Sequence, residues 1–223
     1  MAQRMYRQLP AAKIIWALLW AAAVAAAHCL YAPAATVGWV RDVSGWLEKI
    51  QTQSFGDYLF RRGLQVQSLY PFTQFMLWVG YKLWGSAPLP WHFAMVTAHA
   101  TIAWGWARFF VGALEPKWGR SALWAGGGAG IFMLLSPYAT EVVVWQAGFH
   151  YLQGSLLMLV SLWATLGFLR TGKSKWAIGA LAAFIPTLFA LESFVLTPVY
   201  VVLLAVAAGR EQGVNAGRLC AGF

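Results

Sequence analysis

The chain has 223 residues, of which 60% are hydrophobic and only 10% are charged, and its formal net charge is +9 at pH 7. Soluble globular domains carry roughly 25% charged residues, so this composition excludes a water-soluble fold and predicts an all-α membrane protein. The positive charge does not indicate nucleic acid as a partner, because the basic residues lie in short loops between apolar stretches.

Seven apolar stretches predict helices, in the order 11–32, 67–85, 91–113, 121–137, 150–169, 176–191 and 193–208. The first follows basic residues, as a secretory signal does. Its apolar run from Ile14 to Tyr31 exceeds the ~7–15 residues of a signal core, which predicts a retained first span. The second contains Pro71 and Lys82 among several aromatic residues, which predicts a helix along the outer surface.

The distribution of charge predicts the topology. With 67–85 lying flat, six spans remain, and 11 of the 16 Lys and Arg residues face the cytoplasm. The carboxylates that face outward are Asp42, Glu48, Asp57, Glu141 and Glu192. We therefore expect about six transmembrane helices plus outer juxtamembrane helices, with the N-terminus in the cytoplasm and the chain in a bacterial inner membrane.

The predicted organisation is a cytoplasmic N-terminus at 1–10, a transmembrane module at 11–208 and a cytoplasmic tail at 209–223. The first outer loop, 33–90, includes an amphipathic helix from Ser44 through Ile50.

Small residues and prolines predict how later spans pack and bend. The run Ala125–Gly130 has no side-chain bulk, which allows a neighbouring helix to approach closely. Pro186 and Pro198 are expected to kink the last two spans.

The sequence PYATEVVVW at 137–145 is the first candidate for chemistry. Pro137 is expected to end a span, which leaves Glu141 at the outer membrane surface beside Trp145 and His150. A partly desolvated carboxylate there can act as a base or bind a metal. The alternative is an interfacial glutamate that simply reaches water.

The order of these features resembles the GT-C superfamily of membrane glycosyltransferases, in particular the oligosaccharyl- and mannosyl-transferase-like proteins. PYATEVVVW is similar to that family's Pro-x-x-x-Glu-x-x-x-Trp outer-loop motif. YPFTQFMLWVGYKLWG at 70–85, the histidines His92 and His99, and FALESFVLTPVYVVLLA at 189–205 also resemble family segments in the same order. The resemblance covers about Ala11 to Ala208.

The resemblance implies transfer of a sugar from a polyprenyl-phosphate-linked donor at the outer membrane face. Asp42 would deprotonate the acceptor hydroxyl, and Glu141 would support it or a divalent ion. The residues that would bind substrate are Arg61, Arg62, His150 and Glu192. The two arginines would hold the phosphate. Membrane lipids and the lipid-linked sugar are the implied partners.

A noncatalytic scaffold is the alternative, in which a degenerate module packs as a small subunit of a larger respiratory or photosynthetic membrane complex. Arg41 and a single Asp42 stand where the family has paired acids. The histidines, which could ligate haem or chlorophyll or form a polar seam between helices, are His28, His92, His99 and His150. Transport ranks third, because no acid lies at the centre of a predicted span.

Overall fold

The structure is a computed structural model that describes residues 10–39, 43–60 and 70–211. In these residues all regular structure is helical, so the all-α prediction is confirmed. The helices are α1 (Pro10–Leu30), α2 (Val43–Thr52), α3 (Phe55–Phe60), α4 (Pro71–Trp84), α5 (Pro88–Trp118), α6 (Ala122–Leu135), α7 (Pro137–Val144), α8 (Phe149–Thr171), α9 (Ser174–Thr187) and α10 (Thr197–Glu211). Short 3₁₀ segments lie at Ala32–Thr36, Gly119–Ser121, Gln146–Gly148 and Glu192–Leu196.

The chain forms two compact units. The first unit consists of Met1–Gly38 and Pro88–Gln146, and the second consists of Trp39–Ala87 and Ala147–Phe223.

In the first unit α1 and α5 pack antiparallel. Their hydrogen bonds run from Trp104 Nε1 to Trp16 O at 2.9 Å, from Trp20 Nε1 to Thr101 Oγ1 at 3.1 Å, and between His28 Nε2 and Thr97 Oγ1 at 3.0 Å. As the residue number rises along α1, the number of its hydrogen-bonded partner on α5 falls, so the two helices are antiparallel. The outward side of α1, including Ile14 and Leu18, is exposed in the isolated chain.

Helices α5 and α6 form a hairpin whose contact depends on missing side chains. A Cβ on Gly126 would lie 2.5 Å from the backbone oxygen of Ala107, and one on Gly130 would lie 2.8 Å from Ala107 Cβ. Gly127 faces open space. The predicted close approach of a neighbouring helix to the glycine run is therefore confirmed, and the contact is made by Gly126 and Gly130.

The end of α6 differs from the expectation that Pro137 would end a span. The helix ends at Leu135, Ser136 has extended backbone (ψ 122°), and Pro137 is the first residue of α7. A proline disfavours helical backbone in the residue before it but suits the first position of a helix, because no N–H is needed there. The helical run Pro88–Leu135 and α7 are bent by 54° at this break.

In the second unit α8 and α9 form another antiparallel hairpin, which turns at Gly172 with a φ of 65°. Ser161 Oγ donates to Ala180 O at 3.0 Å, one of the polar contacts between the two helices. The amphipathic helix expected from Ser44 is present as α2, with Leu47 and Ile50 buried.

The expected kinks at Pro186 and Pro198 are not found within long spans. Pro186 is the penultimate residue of α9, and Pro198 is the second residue of α10, where proline is tolerated. The prolines therefore mark helix ends instead of bends.

Among the described residues, the helical stretches Ala12–Leu30 and Gln146–Thr171 are each long and apolar enough to cross a membrane. If the bent pair formed by Pro88–Leu135 and α7 is counted as one span, there are three candidate spans. Helices α6 and α9 have 14 residues each, so at 1.5 Å per residue each is about 21 Å long, short of a hydrocarbon core of about 30 Å.

Candidate functional site

Glu141 lies in the first unit, on the exposed side of α7. The opposite side of that helix is anchored by Val143, which is fully buried in a cluster with Tyr31 and Val96. The proline-initiated helix thus presents the carboxylate of Glu141 away from the core of the unit.

Glu192 lies in the second unit, at the start of the 3₁₀ segment Glu192–Leu196. Leu191 and Phe194 are both buried, while Glu192 is exposed. A 3₁₀ helix has three residues per turn, so residues 191 and 194 share one side and the glutamate points to another. The apolar pair therefore holds the segment while the carboxylate stays accessible.

Tyr70 connects this segment to α4. Its phenol oxygen donates a hydrogen bond to Glu192 Oε2 at 2.5 Å. One turn into α4, Thr73 Oγ1 donates to Ala190 O at 3.1 Å from a fully buried position. The short O–H···O distance is typical of a bond to a carboxylate, so the tyrosine orients the side chain of Glu192.

His150 joins the same group from α8. Its imidazole ring lies parallel to the ring of Tyr70, with an interplanar angle of 2° and centroids 6.2 Å apart. It also lies against Tyr151, with centroids 4.4 Å apart. Tyr70 thus contacts both His150 and Glu192, two residues for which the family resemblance implies substrate binding.

Gln153 lies one turn after His150 on α8 and is only 6% exposed. Neither its amide nitrogen nor its amide oxygen has a hydrogen-bond partner in the described structure. The oxygen of Gln74, one turn into α4 from Tyr70, is buried without a partner too. We call Tyr70, Gln74, His150, Gln153 and Glu192 the Tyr70 cluster.

The first unit has its own polar group around His92, which is 2% exposed. His92 Nε2 lies 3.1 Å from Val37 O and 2.7 Å from the carboxamide of Gln146. His92 Nε2 cannot both donate to the carbonyl of Val37 and accept from the amide nitrogen of Gln146, so the tautomer of the ring decides which contact is the hydrogen bond. His99 Nε2 lies 3.3 Å from Leu134 O.

These contacts bear on ligation of haem or chlorophyll. In the first unit the Nε2 atoms of His28, His92 and His99 are all within hydrogen-bonding distance of protein oxygens. An axial ligand needs a ring nitrogen directed at the metal, so these atoms would have to exchange their present partners. His28 and His99 each link two neighbouring helices, as residues of a polar seam do, whereas Nδ1 of His92 is buried without a partner in the described part of the chain.

No family model, curated protein or solved structure matches this chain.

The structure thus brings together some of the residues expected from the sequence. His150 and Glu192 meet around Tyr70, while Glu141 belongs to the first unit. Asp42, Arg61 and Arg62 lie outside the described residues. Over the described ranges, no three His, Cys, Asp or Glu side chains are grouped closely enough to hold a metal ion.

Tyr70, Gln74 and Gln153 were not among the residues expected from the sequence. The signal for Tyr70 was its place directly before Pro71, because the residue before a proline at a helix start is held in non-helical backbone. For the glutamines the signal was weaker, an uncharged amide within an apolar helix.

Proposed function

We propose that this chain is a GT-C-like membrane module that transfers a sugar from a polyprenyl-phosphate-linked donor at the outer membrane face, with the Tyr70 cluster in its substrate site. The observation that supports this most is the hydrogen bond from Tyr70 to Glu192. It joins the two segments, 70–85 and 189–205, on which the resemblance to that superfamily rests. His150, just after the third such segment, lies against the same tyrosine.

In sugar transfer the exposed carboxylate of Glu192, held by the phenol of Tyr70, can orient the sugar. Transfer requires that a carboxylate take the proton of the acceptor hydroxyl, whose oxygen then bonds to the anomeric carbon of the donor. The bond from that carbon to the phosphate breaks, and polyprenyl phosphate leaves with the electron pair. In this proposal Asp42 is the base, Arg61 and Arg62 stabilise the phosphate, and Glu192 and His150 orient the sugar.

The proposal includes six spans, formed by α1, α5, α6, α8, α9 and α10, with the N-terminus in the cytoplasm of a bacterium. Support comes from the two antiparallel hairpins, α5/α6 and α8/α9, and from apolar side chains that the isolated chain leaves exposed. On α6 these include Trp124 and Phe132, which are 86% and 72% exposed. A lipid environment covers such surfaces, and local thinning of the bilayer accommodates the short helices.

The transfer proposal is tested with the full chain in lipid nanodiscs and polyprenyl-phosphate-linked monosaccharides, by following release of polyprenyl phosphate. Asp42→Asn is expected to lower turnover by about 10²–10⁴-fold, as loss of a general base does. Tyr70→Phe removes the hydrogen bond to Glu192, whereas Glu192→Gln keeps an acceptor oxygen for the phenol but removes the charge that strengthens the bond; about tenfold losses are expected for each. Glu48→Gln on the exposed side of α2 is the matched control, with turnover unchanged.

No release of polyprenyl phosphate by the wild type would exclude the transferase, and equal turnover in the wild type, Asp42→Asn and Glu192→Gln would reject the roles proposed for these two residues. The scaffold alternative then makes its own prediction, that the chain co-purifies in mild detergent with larger subunits at fixed stoichiometry.

The topology is tested separately by labelling single cysteines in cells. With Cys29 and Cys220 replaced by serine, a cysteine at Lys173 in the α8–α9 turn is expected to react only after the membrane is permeabilised. One at Asp57 in α3 is expected to react in intact spheroplasts. The opposite pattern would reverse the proposed orientation.

A further inference from the structure

Gln153 is a buried amide that the described fold does not satisfy. Its side chain is 94% buried, since only 6% is exposed, and both ends of its carboxamide lack a partner. A buried polar group left in this state costs stability, and more than nine in ten buried polar groups in proteins are paired. A glutamine that only filled space could be replaced by an apolar residue of the same size, so its amide points to a ligand.

Gln153 lies on the turn of α8 that follows His150. His150 lies three residues earlier, on the same side of α8. A Cβ on Gly154 would overlap the ring of Phe194, so the 3₁₀ segment that begins at Glu192 packs directly on this turn of α8. From α4, Gln74 adds a second buried amide oxygen without a partner.

The donors and acceptors of the cluster select a class of ligand. A carboxamide offers an acceptor oxygen beside a donor nitrogen, and a pair of neighbouring hydroxyls matches both, because each hydroxyl donates and accepts. The phosphodiester of a lipid-linked sugar offers acceptors alone, so it would leave the oxygens of Gln153 and Gln74 unpaired. The carboxylate of Glu192 repels it further.

We infer that Gln153, with Gln74, forms a subsite for the uncharged polyhydroxyl part of a ligand and determines specificity for vicinal hydroxyls over phosphate. The inference rests on the proposed function for the identity of that ligand, a sugar ring. It separates the ring, held by the two amides, from the phosphate, which must be held elsewhere.

The experiment measures binding without turnover. The full chain is placed in nanodiscs prepared with a detergent that carries no sugar, and saturation-transfer NMR is recorded with methyl glycosides of mannose, glucose and galactose. We expect saturable binding of at least one glycoside that dimethyl phosphate, which carries acceptors alone, does not displace. Gln153→Met, which preserves length and volume, is expected to weaken that binding about tenfold, the equivalent of one lost buried hydrogen bond. Gln51→Met at an exposed site on α2 is the control, with binding unchanged.

Thermal unfolding separates a ligand role from a structural one. Because the amide has no partner in the described structure, Gln153→Met is expected to unfold at the same or a higher temperature than the wild type. A lower temperature would show that the amide stabilises the fold, and equal glycoside binding by both proteins would show that it binds no hydroxyl; either result overturns the inference.

The two proposals can fail separately. Glycoside binding that depends on Gln153, in a chain that releases no polyprenyl phosphate, supports the subsite and rejects the transferase. Full turnover by Gln153→Met rejects the subsite and leaves the transferase standing.

Discussion

Replacing Gly126 by alanine tests the α5–α6 contact most directly. The added Cβ would sit 2.5 Å from the backbone oxygen of Ala107, about an ångström inside ordinary contact distance. A backbone atom in the middle of α5 cannot turn aside as a side chain can, so the helices must separate. Overpacking of this kind costs about 1–3 kcal/mol.

The matched control is Gly127→Ala, whose added Cβ meets nothing within 4 Å. Both substitutions gain the same helix propensity, up to about 1 kcal/mol, so the difference between the two variants isolates the clash. We expect Gly126→Ala to be less stable than Gly127→Ala by about 1–3 kcal/mol in reversible unfolding in mixed micelles, followed by tryptophan fluorescence. Equal stability would refute the close helix contact.

Three further perturbations test other contacts. Gly154→Ala is expected to lower the unfolding temperature because the ring of Phe194 must move, and Phe194→Leu in the same chain should restore part of the loss. Thr97→Val removes the hydrogen bond to His28 and should cost about 0.5–1.5 kcal/mol in the same unfolding assay. Burial raises the pKa of the Tyr58 phenol, so the folded chain keeps a proton that the unfolded chain loses above about pH 10. The free energy of unfolding should therefore fall as the pH rises past 10. In denaturant titrations at pH 9 and 11, this free energy should fall less for Tyr58→Phe than for the wild type.

The helices could be predicted from the sequence because apolar runs between basic turns have few other solutions in a bilayer. Each of the seven predicted stretches overlaps a helix, from α1 to α10. How many of these helices cross the membrane was harder to predict, because hydrophobicity predicts that a helix is present but not where it ends. Ser136 and Leu191, which break the later runs, carry no strong signal of their own.

The grouping of residues around Tyr70 could be predicted only in part, because a carboxylate can be recognised in a sequence and its partners cannot. Glu192 and His150 are 42 residues apart, and the residue that contacts both is Tyr70, far upstream. Pairing across such separations depends on tertiary packing, here on Thr73 bonded to Ala190 O and on Phe194 against Gly154. No local pattern encodes either contact. The amides of Gln74 and Gln153 are recognisable only when their lack of partners is visible.

The prolines show how local chemistry places the candidate residues. Pro71, Pro137 and Pro198 each lie at the first or second position of a helix. Tyr70 and Ser136, the residues before Pro71 and Pro137, have non-helical backbone, and each proline supplies a φ suited to the first turn. Tyr70 is therefore the residue directly before α4, and its side chain reaches Glu192. The same residue type that would kink a span in its middle here fixes where α4 and α7 begin.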